Sequence, residues 1–116
     1  MYEPHVTLLA TVVAPPRHIV TESGVPLLTM RLASTPRWYD RSQGQWRDGE
    51  TLVLNVTCWR TLADNVAASI RTGMPVVVSG RLRMRAWADQ SGARRSALEV
   101  EAFSVGPDLS RGVATF

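Results

Sequence analysis

TLVLNVTCWRTLADNVAASIRTGMPVVVSGRLRMRAW, residues 51–87, changes its hydrophobic period twice. From Thr51 to Trp59 the pattern alternates. Leu52, Leu54, Val56 and Cys58 fall on one side; Thr51, Val53, Asn55, Thr57 and Trp59 fall on the other. Successive side chains of a strand point to opposite faces, so this is a half-buried strand. From Arg60 the spacing becomes three and four: Leu62, Ala63, Val66, Ala67 and Ile70 form a stripe, and Gly73 is a stop signal. That predicts a helix over 60–73, roughly three turns long. From Met74 alternation returns, with Gly80 marking a bulge or bend in a curved sheet. At its end Arg81, Arg83, Arg85 and Trp87 share one face, and Leu82, Met84 and Ala86 share the other, which reads as core.

The flanking segments add strands on both sides. HVTLLATVVA at 5–14 is apolar and β-branched, and Pro15-Pro16 stops it. After the turn signal SGVP, residues 27–35 alternate, with Leu28, Met30 and Leu32 opposed to Leu27, Thr29, Arg31 and Ala33. Residues 36–50 form a polar loop or long hairpin tip holding Trp38, Tyr39 and Trp46. Residues 88–95 make a hairpin loop, and 96–105 a last strand closed by Gly106-Pro107. Three strands, one helix and two strands is the layout of an all-β OB-fold. That fold is a five-stranded Greek-key barrel with its helix between strands three and four. It would occupy residues 1–107, leaving 108–116 as a C-terminal tail.

A chain of 116 residues fits one such domain. No apolar run reaches membrane-spanning length, and the N-terminus lacks the features of a secretory signal. Cys58 is the single cysteine, so no intrachain disulfide can form, and a reducing cytoplasmic setting is expected. Its place on the core side makes it a small buried hydrophobe rather than a nucleophile. His5 and His18 have no neighbour at metal-ligand spacing, no glycine-rich phosphate loop precedes a helix, and the carboxylates lie in or beside loops. No metal, cofactor or enzymatic activity is expected.

The outward face carries different chemistry. All thirteen basic residues are arginine, which codon bias in a GC-rich genome explains as well as function does, so placement carries the argument. Arg31, Asn55, Trp59, Arg81, Arg83, Arg85 and Trp87 share the outward side of the middle strands, and Trp38 in the 36–50 segment can extend it. Rings stack on unpaired bases, and guanidinium groups neutralise phosphates. Nothing resembles a helix shaped for a major groove. Bland readings stand beside each functional one. Trp59 could cap the core, and Trp38 could anchor its loop. Arg83 and Arg85 could pair with Glu99 and Glu101 across the last hairpin.

These motifs together resemble the bacterial single-stranded DNA-binding proteins over residues 5–107. The resemblance rests on Trp59-Arg60-Thr61-Leu62-Ala63 with Val66, on Val78 to Trp87 with Gly80-Arg81-Leu82 inside it, on Asp89-Gln90-Ser91-Gly92, and on Val105-Gly106-Pro107. It implies binding of single-stranded DNA with little sequence preference, in replication, recombination or repair, at the nucleoid. It maps stacking onto Trp38, Trp59 and Trp87, and basic contacts onto Arg83 and Arg85. It also implies a homotetramer assembled in part through the first strand, around residues 5–12. The family's basic position after the first turn falls at Ile19, and a further stacking tryptophan falls at Val53. Typical members continue to an acidic tip that recruits replication and repair enzymes. Residues 111–116 have no acidic run, so the sequence is either a shortened one or a paralogue without that tip, and the drifted motif positions favour the paralogue. The other function class to weigh is an OB-fold interaction module that has lost most DNA affinity.

Overall fold

The computed structural model describes residues 3–116. Eight strands and one helix follow in the order β1 (His5–Val12), β2 (Arg17–Val20), β3 (Pro26–Ser34), β4 (Arg37–Asp40), β5 (Gln45–Asp48), β6 (Leu52–Trp59), α1 (Arg60–Ser69), β7 (Pro75–Ala88) and β8 (Arg94–Pro107). The five strands expected from the alternation are β1, β3, β6, β7 and β8, and they close a ring. β1 pairs with β7 along its length, β7 with β8, β8 in parallel with β6 at Asn55 to Thr57, and β6 with β3. Thr11 and Val12 of β1 then pair with Ala33 and Leu32 of β3 and complete the circuit. This is the OB-fold barrel.

Alternation decides which side chains fill it. Val12, Leu28, Leu32, Val56, Cys58, Val76, Val78 and Val100 are fully buried, all from inward positions of the ring. Burial without a charged partner pushes the Cys58 thiol up to about 11, so it is a packed apolar group at neutral pH. Gly80 sits where the β7–β8 register shifts, and Phe103 is the residue left unpaired there. A Cβ at Gly80 would overlap the Glu101 carbonyl and lie 2.9 Å from Ala102 Cα, so the bulge demands glycine. The helix closes one end with Ala63 and Val66 buried, packed chiefly against β3.

Two expectations need correction, and two segments that the pattern left open are now defined. The helix ends at Ser69, not Gly73. Ile70 already has extended backbone, its N–H bonding back to the Val66 carbonyl, and Gly73 serves the following turn at φ +91°. The segment after Pro15-Pro16 is not wholly loop: Arg17–Val20 pairs with Pro26 to Thr29 as an extra edge strand, too short for its period to register. Residues 36–50 form a true hairpin, β4–β5, which makes no strand pairing with the barrel. Met84 and Ala86 are not core. Met84 is 60% exposed, because the β7–β8 hairpin runs on past the point where other strands cover it.

The first residues after Pro107 lie against the barrel. The Asp108 N–H donates to the Pro75 carbonyl at 2.9 Å, and Arg111 reaches the Thr11 hydroxyl at 2.8 Å.

Candidate nucleic-acid interface

The strand register places the outward side chains in rows across the sheet. Thr29, Thr57, Glu101 and Arg81 lie level with one another, and Arg31, Asn55, Glu99 and Arg83 form the next row. Arg85 lies level with Ala97, and Trp87 with Arg95, further along the projecting hairpin. Trp59 stands at the opposite end, level with Leu27. Trp59 and Trp87 therefore bracket one outer face, separated by roughly 26 Å at the rise of an extended strand.

Each end has a local cause. Trp59 is the last residue of β6, and Arg60 begins the helix at once with φ +60°, a left-handed conformation that costs a non-glycine residue about 1 kcal/mol. With no loop between strand and helix, the Trp59 ring stays outside, 36% exposed, beside a groove shared with Thr21, Arg60 and Glu101. Trp87 is 43% exposed, with the Arg85 guanidinium 5.8 Å from its ring centroid. That is cation–π geometry, and it presents charge and flat ring as one unit.

The arginines between them divide into two groups. Arg81 is held by Glu101 and, at 2.7 Å, by Glu3. Arg83 donates from Nε to one oxygen of Glu99 at 2.9 Å, its Nη2 lies 2.8 Å from the same oxygen as an ion pair, and its Nη1 lies 3.9 Å from Glu101. The cross-strand pairing weighed from sequence thus exists for Arg83, and Arg81 joins it. Glu99 is buried while the Arg83 side chain is 44% exposed, so water reaches the pair from one side only. Arg31 and Arg85 form no ion pair among the described residues. Asn55 is exposed beside Arg31.

Trp38 stands apart from this face, on the β4–β5 hairpin, half exposed. Its ring lies across Gly49, where a Cβ would come within 3.2 Å of it. On the hairpin's other face Tyr39 meets Trp46 edge-on at 5.5 Å, and Arg37 sits 5.5 Å from the Trp46 ring. The structure brings Arg31, Asn55, Trp59, Arg81, Arg83, Arg85 and Trp87 onto one surface and leaves Trp38 on a neighbouring arm.

The period reading missed Arg17. It lies level with Thr29 on β2 and lines a groove with Arg31 and Arg85. The available signal was a four-residue run, RHIV, held between Pro16 and Thr21. Among the described residues no group of three or more His, Cys, Asp or Glu side chains could hold a metal ion. No helix there is long and apolar enough to cross a membrane.

Comparison with known proteins identifies the family. Residues 4–107 match the model of the single-strand binding protein family. The chain is 45% identical over 106 residues to a single-stranded DNA-binding protein of Corynebacterium glutamicum, covering 91% of this chain and 47% of that protein. It is 41% identical over 109 residues to that of Mycobacterium tuberculosis, covering 94% and 66%. The chain thus spans about half to two thirds of the length of these relatives. Among solved structures, the small single-stranded DNA-binding protein of Streptomyces coelicolor superposes with a TM-score of 0.84 at 36% identity, covering 97% of this chain and all of that one. The second such protein of Mycobacterium smegmatis gives 0.72 at 30% identity, over 99% and 98% of the two chains. The chain belongs to the single-strand binding protein family.

Proposed function

We propose that the chain binds single-stranded DNA with little sequence preference, keeping it unpaired during replication, recombination or repair. The observation that carries this reading is the outer face bracketed by Trp59 and Trp87. Exposed indoles stack on bases of any identity, and guanidinium groups beside them meet a charge that recurs at every nucleotide. Trp38 adds a ring from the β4–β5 arm. Arg31 and Arg85 on this face form no ion pair among the described residues, and Asn55 beside Arg31 offers an amide to sugar or base. Arg81 and Arg83 complete the face while held by their glutamates. The work is binding rather than bond-making, in the cytoplasm at the nucleoid.

We also propose that the working form is a homo-oligomer, a tetramer. β3 pairs with β1 only at Thr11 and Val12. The edge of β1 away from β7 therefore has no strand beside it over residues 5–10 among the described residues; the Leu9 carbonyl accepts the Ser34 hydroxyl at 3.0 Å, and the Leu9 side chain is 57% exposed. Open strand edges pair with other chains.

Titration with oligo-dT, read by tryptophan fluorescence and run beside light scattering, tests both parts. Quenching, and a mass four times 12.8 kDa, are the expected results. Fluorescence that stays bright at saturating oligonucleotide and low salt would leave an interaction module instead.

A further inference from the structure

Six side chains around one groove outline a route for the phosphate backbone that the outer tryptophans alone do not specify. Arg17 from β2, Arg31 from β3 and Arg85 from β7 line it, with Asn55, Thr57 and Glu99. None of the three arginines forms an ion pair among the described residues. All three are exposed. A carboxylate at such a place would repel phosphate. Glu99, however, is buried, and one of its oxygens takes a hydrogen bond from Arg83 Nε and lies within ion-pair distance of Nη2. The charge of Arg83 is spent on cancelling that of Glu99, which leaves the groove three net positive charges.

We propose that this groove holds the sugar–phosphate backbone of the bound strand through Arg17, Arg31 and Arg85, and that Arg83 serves it indirectly, as a positioning residue that neutralises Glu99. The proposal rests on the single-stranded DNA reading and divides the arginines of that face by job. The strand leaves the Trp87–Arg85 unit on β7 and crosses β8, β6 and β3 toward Arg17 on β2, which lies level with the Arg81–Glu101 pair but at the far side of the sheet. Arg17 is then a contact supplied by the short edge strand.

The test is the salt dependence of oligo-dT binding, measured by tryptophan quenching for the wild type and four variants. Arg17→Ala should lower the slope of log K against log salt by about 0.7, the loss of one phosphate contact on a single strand. Arg17→Glu should lower it further. Arg83→Gln should weaken binding several-fold, because the carboxylate it leaves behind repels the strand, and Arg83→Gln with Glu99→Gln should restore it. An unchanged slope in both Arg17 variants overturns the route. A double variant as weak as Arg83→Gln makes Arg83 a direct phosphate contact and overturns its indirect role. The Arg17 arm concerns an exposed side chain without an ion pair, so it decides the route even if Arg83→Gln does not fold. A wild type that shows no quenching sinks the single-strand reading itself, whereas the other adverse outcomes leave that reading standing.

Discussion

Val78 and Met84 sit on the same side of the same strand, six residues apart, in different media. Val78 is fully buried and Met84 is 60% exposed. Up to Leu82 the inner face of β7 is covered by the ring of strands; beyond it, β7 and β8 have only each other. The difference teaches what alternation measures. A period of two says that a segment is a strand and sorts its side chains into two sets. Whether either set is dry depends on what lies across from it, and that is a property of closure. In the barrel half the inward set drives folding. In the projecting half neither set does, and the strand pair is free to present chemistry on its surface.

The sharpest way to break this comparison is at the joint between the halves. Gly80 is the position at which the two strands change register, and no side chain fits there. Gly80→Ala should destabilise the protein by about 3 kcal/mol, the upper range for forcing atoms into a packed site. Chemical denaturation measures it. A loss well below 1 kcal/mol would mean that the bulge relaxes freely and that the halves are not joined through a tight point.

A pair of substitutions on β7 sharpens the contrast further. Val78→Ala removes buried methyl groups from the covered half and should cost about 2.5 kcal/mol of stability, with little change in affinity per folded molecule. Trp87→Ala removes an exposed ring from the projecting half. It should leave the unfolding midpoint nearly unmoved and cost about 2 kcal/mol of oligo-dT affinity, the loss of one stacked base. A Trp87 variant that melts early and binds normally reverses the assignment and makes Trp87 structural.

The same distinction explains how much could be read in advance. The ring strands were legible because Leu28, Met30 and Leu32, or Leu52, Leu54, Val56 and Cys58, repeat over enough residues for the period to declare itself. The helix was legible from Ala63, Val66 and Ile70, but its end was not. Ile70 stays on the apolar stripe after the backbone has left the helix, because burial continues where helical geometry does not. Arg17–Val20 held too few residues to show a period and is defined by its pairing with β3. On the candidate site, the outward set containing Asn55, Arg81, Arg83, Arg85, Trp59 and Trp87 followed from parity. The division of its arginines did not. Arg81 meets Glu3 across 78 positions of sequence, and only the closed barrel brings them together.

The smallest effect lies at the tip of the projecting half, where the turn has no core to lean on. Asp89 organises it alone. One carboxylate oxygen accepts the Ser91 N–H at 2.9 Å, the Ser91 hydroxyl at 2.6 Å and the Ala93 N–H at 3.0 Å, while the other accepts Arg95 Nε at 2.8 Å. The Ser91 hydroxyl, then Arg95, hold the carboxyl below its ordinary 3.8. A depressed value in the folded turn means that its stabilising contribution is fully present above pH 3.8 and is lost as pH falls through the lower, folded value. The turn should therefore be insensitive to pH around neutrality and loosen only in stronger acid, while the barrel half keeps its packing. Amide nitrogen shifts of Ser91 and Ala93, followed through an acid titration beside that of buried Val78, give the reading. Asp89→Asn should abolish the titration at the turn and leave Val78 unchanged. Turn amides that titrate at the ordinary value, or in step with Val78, would mean that the arm is held by the barrel after all and that its apparent independence is only one of exposure.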